Sequence, residues 1–215
     1  WLEENARQAV GFTEKAGVNP AILHSTADFK GLVRNLAFSL SLYSGQMCTT
    51  PQNIFVPKGS IQTEDGTKSF AEVAQAIGTG IDKLLGEPER AAEVLGCIQS
   101  PATLQRIDKA AAEAGNQVLR ASTALTHPKF PNARVRTPLL LRAEADETGR
   151  YLQELFGPIA FVIETADVDE AIALAARGAQ EHGAITALVH ATDTAVLERA
   201  EEAMIEAGVA LSVRG

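Results

Sequence analysis

Two thiols, Cys48 and Cys97, are the strongest nucleophiles in this 215-residue sequence, because a thiolate attacks carbon more readily than a hydroxyl or an ammonium group near neutral pH. Their settings differ. Cys48 stands in Ser44-Gly45-Gln46-Met47-Cys48-Thr49-Thr50-Pro51, a Gly-X-X-Cys turn of small and polar residues. Such a turn can hold sulfur at the mouth of a cleft with backbone N–H groups facing it. Taken alone, it is equally compatible with a thiol packed into a loop. Cys97 lies in Val94-Leu95-Gly96-Cys97-Ile98, an apolar run that predicts a buried structural thiol. The pair lacks CxxC spacing and the density of a disulfide framework, so a reducing compartment with both thiols free is the expectation. The histidines, His24, His127, His182 and His190, show no metal-ligand spacing, and no metal site is expected.

The elements that must position Cys48 are legible on either side of it. A strand is predicted over Ala21 to Leu23, between Asn19-Pro20 and Ser25-Thr26. Asp28 can cap a following helix from Phe29 to Tyr43, whose apolar residues predict burial on most sides. Asn53 to Val56, closed by Pro57, has the composition of a strand. Cys48 therefore falls on the short link from helix to strand. Helical patterns follow at about Phe70 to Leu85 and Pro101 to Ala114, and strand patterns at about Gln117 to Arg120 and Pro138 to Arg142. The polar segment from Thr126 to Val135 predicts a surface excursion. Within the first of these helices, Gly78-Thr79-Gly80 lacks a preceding strand and is read as helix packing rather than a phosphate loop.

The last third alternates: strand from Pro158 to Ile163, helix from Val168 to Ala176, strand from Ala184 to His190, helix from Asp193 to Ala207, strand from Val209 to Val213. That order predicts βαβ units, and the fold class is α/β, a three-layer domain with a largely parallel twisted sheet flanked by helices. A hydrophobic content of 46% supports a sizeable core. The net charge of −8 opposes a phosphate backbone, so nucleic acid is excluded as a partner. No run approaches the ~18 apolar residues of a membrane span, and charged residues occupy the place of a signal peptide, which predicts a soluble cytoplasmic protein. The chain starts at Trp1 within a helix-like stretch and stops at Gly215 after an apolar run, and both ends are expected to be cuts through a longer polypeptide.

Gly45-Gln46-X-Cys48-Thr49 resembles the nucleophile motif of the aldehyde dehydrogenase superfamily. Thirty-four residues upstream, Glu14-Lys15-Ala16-Gly17-Val18-Asn19-Pro20 is similar to the family's glutamate motif, Glu-Leu-Gly-Gly-Lys-Ser-Pro, with the Glu-to-Pro spacing kept and Lys15, Ala16 and Val18 replacing its Leu, Gly and Lys, so the immediate setting of the glutamate differs. Downstream, Glu154-Leu155-Phe156-Gly157-Pro158 resembles the family's Glu-(Ile or Leu)-Phe-Gly-Pro string. The resemblance implies that residues 1–215 are the thiol-bearing catalytic domain, with the nucleotide-binding domain mostly upstream and absent. It implies Cys48 as nucleophile, Glu14 as the base that activates water, Glu154 on the cofactor ribose and Phe156 near the nicotinamide of NAD or NADP. The wording around Cys48 looks most like the PaaN-type enzymes of phenylacetate degradation, which would make the substrate an aldehyde from aromatic ring opening, free or carried on coenzyme A.

The chemistry follows from the substrate. An aldehyde carries no leaving group, so oxidation requires a tetrahedral adduct from which hydride can depart. Cys48 would form that adduct, the backbone N–H of Cys48 would face the oxyanion, and Glu14 would deliver water to the resulting thioester. Two alternatives stand beside this reading. A superfamily member can pass the thioester to coenzyme A, which a working Glu14 disfavours. A non-catalytic oligomerisation domain is the other, since family members are homo-oligomers and Val209 to Val213 would leave an open strand edge.

Overall fold

The computed structural model describes residues 2–6, 8 and 17–214. After a short helix α1 (Leu2–Asn5), the elements run β1 (Pro20–Leu23), α2 (Phe29–Ser41), β2 (Asn53–Pro57), β3 (Ile61–Thr63), β4 (Gly66–Lys68), α3 (Phe70–Leu84), α4 (Pro88–Leu95) and α5 (Pro101–Ala114). Then come β5 (Val118–Arg120), β6 (Ala124–Leu125), β7 (Val135–Arg136), β8 (Leu139–Glu144), α6 (Thr148–Tyr151), β9 (Ile159–Thr165), α7 (Val168–His182), β10 (Thr186–His190), α8 (Thr194–Glu206) and β11 (Ala210–Arg214).

A seven-stranded sheet in the order β11-β10-β1-β2-β9-β8-β5 forms the middle layer. Every neighbouring pair in it is parallel except β5 with β8 at one edge. Because side chains alternate across a strand, the apolar runs split between two cores. Ile22, Phe55, Leu141, Phe161 and Ile163 face one core, shared with α5, α7 and α8. Leu23, Ile54, Val56, Leu140 and Val162 face the other, shared with α2, α3 and α4. The predicted three-layer α/β architecture is the one observed.

Local signals explain most boundaries. The Asp28 side chain accepts from Gly31 N at 2.8 Å and starts α2; Ser69 and Glu72 close a reciprocal capping box on α3. Helix α2 is buried along one stripe only. Leu32, Leu36 and Leu40 are inside, whereas Phe38 is 45% exposed, so the expectation of burial on most sides is corrected. Helix α7 runs six residues past the expected Ala176, to His182, where Gly183 at φ 86 ends it. The small β3–β4 and β6–β7 ladders and helix α4 lack a long enough apolar period to be read from sequence. Residues 126–134 form the expected excursion between β6 and β7, largely exposed. Gly80 does serve helix packing: a Cβ there would come within 2.7 Å of Val33 on α2. No helix among the described residues is long and apolar enough to cross a membrane.

Candidate active site

Parallel pairing puts the beginnings of β1, β2, β9 and β10 on one edge of the sheet, and the loops entering those strands carry the candidate residues. Residues 17–19 precede β1, the Cys48 turn precedes β2, and Glu154 to Pro158 precede β9. Sequence-distant motifs are thus gathered by topology rather than by proximity in the chain.

The Cys48 turn begins where α2 stops. Tyr43, Ser44 and Gly45 take successive left-handed conformations, with φ of 51, 54 and 62, a run that non-glycine residues adopt at a cost of roughly 1–2 kcal/mol each. Tertiary bonds hold it there. Ser44 is buried and donates through Oγ to the Leu95 carbonyl at 2.9 Å. The Gln46 side chain donates to the carbonyls of Tyr43 and Cys97, both at 2.9 Å, and accepts from Gln99 N at 2.9 Å. At Gly45 glycine is required: a Cβ would lie 2.5 Å from the Gly157 carbonyl oxygen. The motif glycines of the Cys48 turn and of the Glu154 segment therefore touch.

Cys48 follows on this braced turn and is exposed. Among the described residues its sulfur has no hydrogen-bond partner, so it stands open to a small molecule. Cys97 is partly buried, not sealed as expected, because it faces polar side chains: its carbonyl accepts from Gln46 Nε2 and its sulfur from Gln99 Nε2 at 3.2 Å.

Gln52 ties the turn to the third motif. Its side chain is buried, donates to the carbonyls of Tyr151 (3.1 Å) and Gln153 (2.9 Å), and accepts from Leu155 N at 2.7 Å. Neighbouring Asn53 adds a bond to the Tyr151 carbonyl at 2.9 Å. Beneath them Tyr151 is fully buried against Phe55 and Phe161, and burial pushes its phenol up to about 12. Glu154, so held, accepts from Gly17 N through Oε1 at 3.0 Å. Phe156 is 39% exposed, and Gly17, Met47, Thr50, Glu154 and Phe156 line a small hollow beside the turn. Glu154 and Phe156 therefore share one wall with the Cys48 turn.

Glu14 lies outside the described residues. Gly17, the first described residue after it, lies at the turn, since a Cβ there would be 3.3 Å from the Cys48 carbonyl oxygen. Gln52 was not singled out from sequence; a polar residue directly before an otherwise apolar strand was the available signal. A larger groove of about 990 Å³ runs between α2 and α3 but contains none of the candidate residues. The groove's size alone does not make it the site, because neither cysteine and no residue of the three motifs lines it.

Comparison with known proteins identifies the family. Residues 5–211 match the model of the aldehyde dehydrogenase family. The chain is 32% identical over 166 residues to N-succinylglutamate 5-semialdehyde dehydrogenase of Chromobacterium violaceum, covering 75% of this chain and 32% of that protein. It is 26% identical over 196 residues to 3,4-dehydroadipyl-CoA semialdehyde dehydrogenase of Aromatoleum evansii, covering 86% of this chain and 36% of that protein. Among solved structures, an NAD-dependent aldehyde dehydrogenase from Burkholderia multivorans superposes with a TM-score of 0.93 at 50% identity, covering 99% of this chain and 38% of that one. The chain spans about a third of the length of these relatives.

Proposed function

Because the chain belongs to the aldehyde dehydrogenase family, we propose that it is the thiol-bearing part of an NAD(P)-dependent enzyme that oxidises an aldehyde to a carboxylic acid. The observation that carries this reading is the exposed Cys48 on a braced turn, with the Glu154–Phe156 segment fastened beside it through Gln52. Cys48 attacks the aldehyde carbon as thiolate and gives a tetrahedral adduct; the backbone N–H of Cys48 faces its oxyanion. Glu14 takes a proton from the water that hydrolyses the thioester left on Cys48.

The residues present fit a nicotinamide cofactor. Glu154 spends Oε1 on Gly17 N, and among the described residues no hydrogen bond engages Oε2, which can accept from a ribose hydroxyl. Phe156 offers a partly open ring at the same wall. When bound, NAD or NADP supplies the hydride acceptor. Glu154 and Phe156 hold its ribose and nicotinamide end, and the cytoplasm, which keeps thiols reduced, suits an unpaired Cys48.

For the substrate, we favour an aldehyde from opening of an aromatic ring, as in PaaN-type phenylacetate catabolism, free or carried on coenzyme A. A CoA-linked semialdehyde in the name of the Aromatoleum evansii relative, which covers 86% of this chain, supports the class. Release as free acid rather than transfer to coenzyme A rests on Glu14. Assembly into a homo-oligomer agrees with β11, an edge strand with Val213 48% exposed.

The test uses the complete polypeptide, a panel of free and CoA-linked aldehydes, and both cofactors. Cys48→Ser is expected to lower NAD(P)H production by ~10³-fold or more. Glu14→Gln is expected to keep the first-turnover burst and accumulate a thioester visible by mass spectrometry. Full turnover by Cys48→Ser sinks the nucleophile assignment, and a Glu14→Gln enzyme without trapped thioester sinks the hydrolytic one.

A further inference from the structure

Asn19 sits immediately before β1, and its side chain is 2% exposed. Nδ2 donates to the carbonyl oxygens of Cys48 at 2.8 Å and Thr50 at 3.0 Å. Oδ1 accepts from Ile185 N at 2.9 Å and Thr186 N at 3.1 Å. Both N–H donors and both acceptor positions of the amide are thus engaged, which an amide can achieve from one small plane and a hydroxyl or carboxylate cannot. The sheet does not need this side chain at the Cys48 turn. Pairing of β1 with β2 begins at Pro20 and Asn53, and the Asn19 carbonyl already accepts from Gln52 N and Asn53 N. The two bonds from Nδ2 instead reach residues of the turn, outside any strand.

We infer that Asn19 is a positioning residue for the nucleophile, an inference that rests on Cys48 being that nucleophile. Its bond to the Cys48 carbonyl fixes the peptide plane that follows Cys48. Its bond to Thr50 fixes the other end of the same short span, so the direction of the Cys48 side chain is set from β1 and β10 as well as from the end of α2. Asn19 also lies on the segment that carries Glu14, five residues away in sequence. One buried amide therefore registers the start of β1, the thiol-bearing turn and the entry to β10 against one another. A displacement of about 1 Å at a reacting group costs on the order of 100-fold in rate, so the clasp acts on turnover more than on substrate binding.

The experiment compares Asn19→Asp and Asn19→Ala with wild type in the complete enzyme, measuring kcat and KM for aldehyde across pH, with folded fraction followed by circular dichroism. In Asn19→Asp the ionised carboxylate still accepts from Ile185 and Thr186 but presents lone pairs to the Cys48 and Thr50 carbonyls. The protonated form regains one donor. Expected is a kcat roughly 10- to 100-fold below wild type with KM changed less than about threefold, and a variant-to-wild-type ratio that climbs as pH falls. Asn19→Ala, which removes the amide altogether, is expected to lose as much with no such climb. A kcat within about twofold of wild type in either folded variant, a deficit in Asn19→Asp that ignores pH, or failure of both variants to fold overturns the inference. Cys48→Ser runs alongside: if it keeps full turnover, the nucleophile reading has failed, whatever Asn19 does.

Discussion

At the edge where the parallel strands begin, the entering loops are clasped by side-chain amides: Gln46 across the Cys48 turn and Gln52 across to Leu155. At the edge where the same strands end, backbone groups close on one another, as in Lys58 N to Thr165 O at 2.7 Å and His24 N to His190 O at 2.9 Å. Backbone closure gives a stable rim and little freedom to aim a side chain. Amide clasps hold turns that regular pairing cannot, and so permit three successive left-handed residues just ahead of an exposed thiol. The leaving edge also buries a titratable group without a partner: His190 is 3% exposed, and among the described residues neither ring nitrogen is bonded. Burial, with Arg214 nearby, pushes its pKa down to about 4. One edge spends its polar groups on geometry; the other tolerates a neutral imidazole as core.

The contrast breaks most sharply at Gly45. Gly45→Ala is expected to cost about 3 kcal/mol or more, because a Cβ would meet the Gly157 oxygen at 2.5 Å on a positive-φ residue. Urea unfolding of the complete enzyme measures that cost. A variant as stable as wild type would show that the two motif glycines are not in contact.

At the other edge the expected effect is up to about 3 kcal/mol, spread over pH. The folded-state pKa of His190 lies below its unfolded value. Above about pH 6.5 the imidazole is neutral in both states and the stability is fully present; as pH falls toward about 4, only the unfolded chain takes up the proton and stability is lost. Thermal melts from pH 7.5 to 4 should show this slope, and His190→Leu should flatten it while leaving kcat at pH 7.5 unchanged. An undiminished slope in that variant removes the leaving edge from the comparison.

The smallest effect sharpens the entering edge alone. At pH 7.5, iodoacetamide is expected to modify Cys48 roughly tenfold faster than Cys97, one sulfur being open and the other half-buried and bonded to Gln99. Peptide mapping by mass spectrometry gives the ratio, and equal rates would mean that the turn confers no special access.

Much of this fold was readable residue by residue. The β-branched run Asn53 to Val56 and the apolar Pro158 to Ile163 are buried strands because both faces of a parallel sheet are covered, so short continuous apolar runs carry the signal. The strand–helix alternation after residue 158 reads directly as parallel βαβ units. Helix α4 and the two small ladders were not legible, because their residues gain their order from packing on neighbours rather than from a period of their own. At the site, the spacing of Gly45, Gln46 and Cys48 named the turn, but not that Gln46 reaches across to Cys97 and Gln99 or that Gln52 and Asn19 act as clasps. Those bonds join residues as many as 167 positions apart, and nothing in a local window reports them. Cys97 differs from its expectation for a related reason: apolar neighbours predict full burial, and only the tertiary course of the segment leaves it half-buried against Gln46 and Gln99.

The left-handed run from Tyr43 to Gly45 bears on how the proposed activity would be lost. Conformational energy wound into that corner is released as soon as Ser44 or Gln46 loses its grip, while the two hydrophobic layers and the parallel ladders lose nothing. If Cys48 is the nucleophile, inactivation should therefore run ahead of unfolding, with a molecule that still looks native by its overall shape but whose sulfur has swung from its place on the turn.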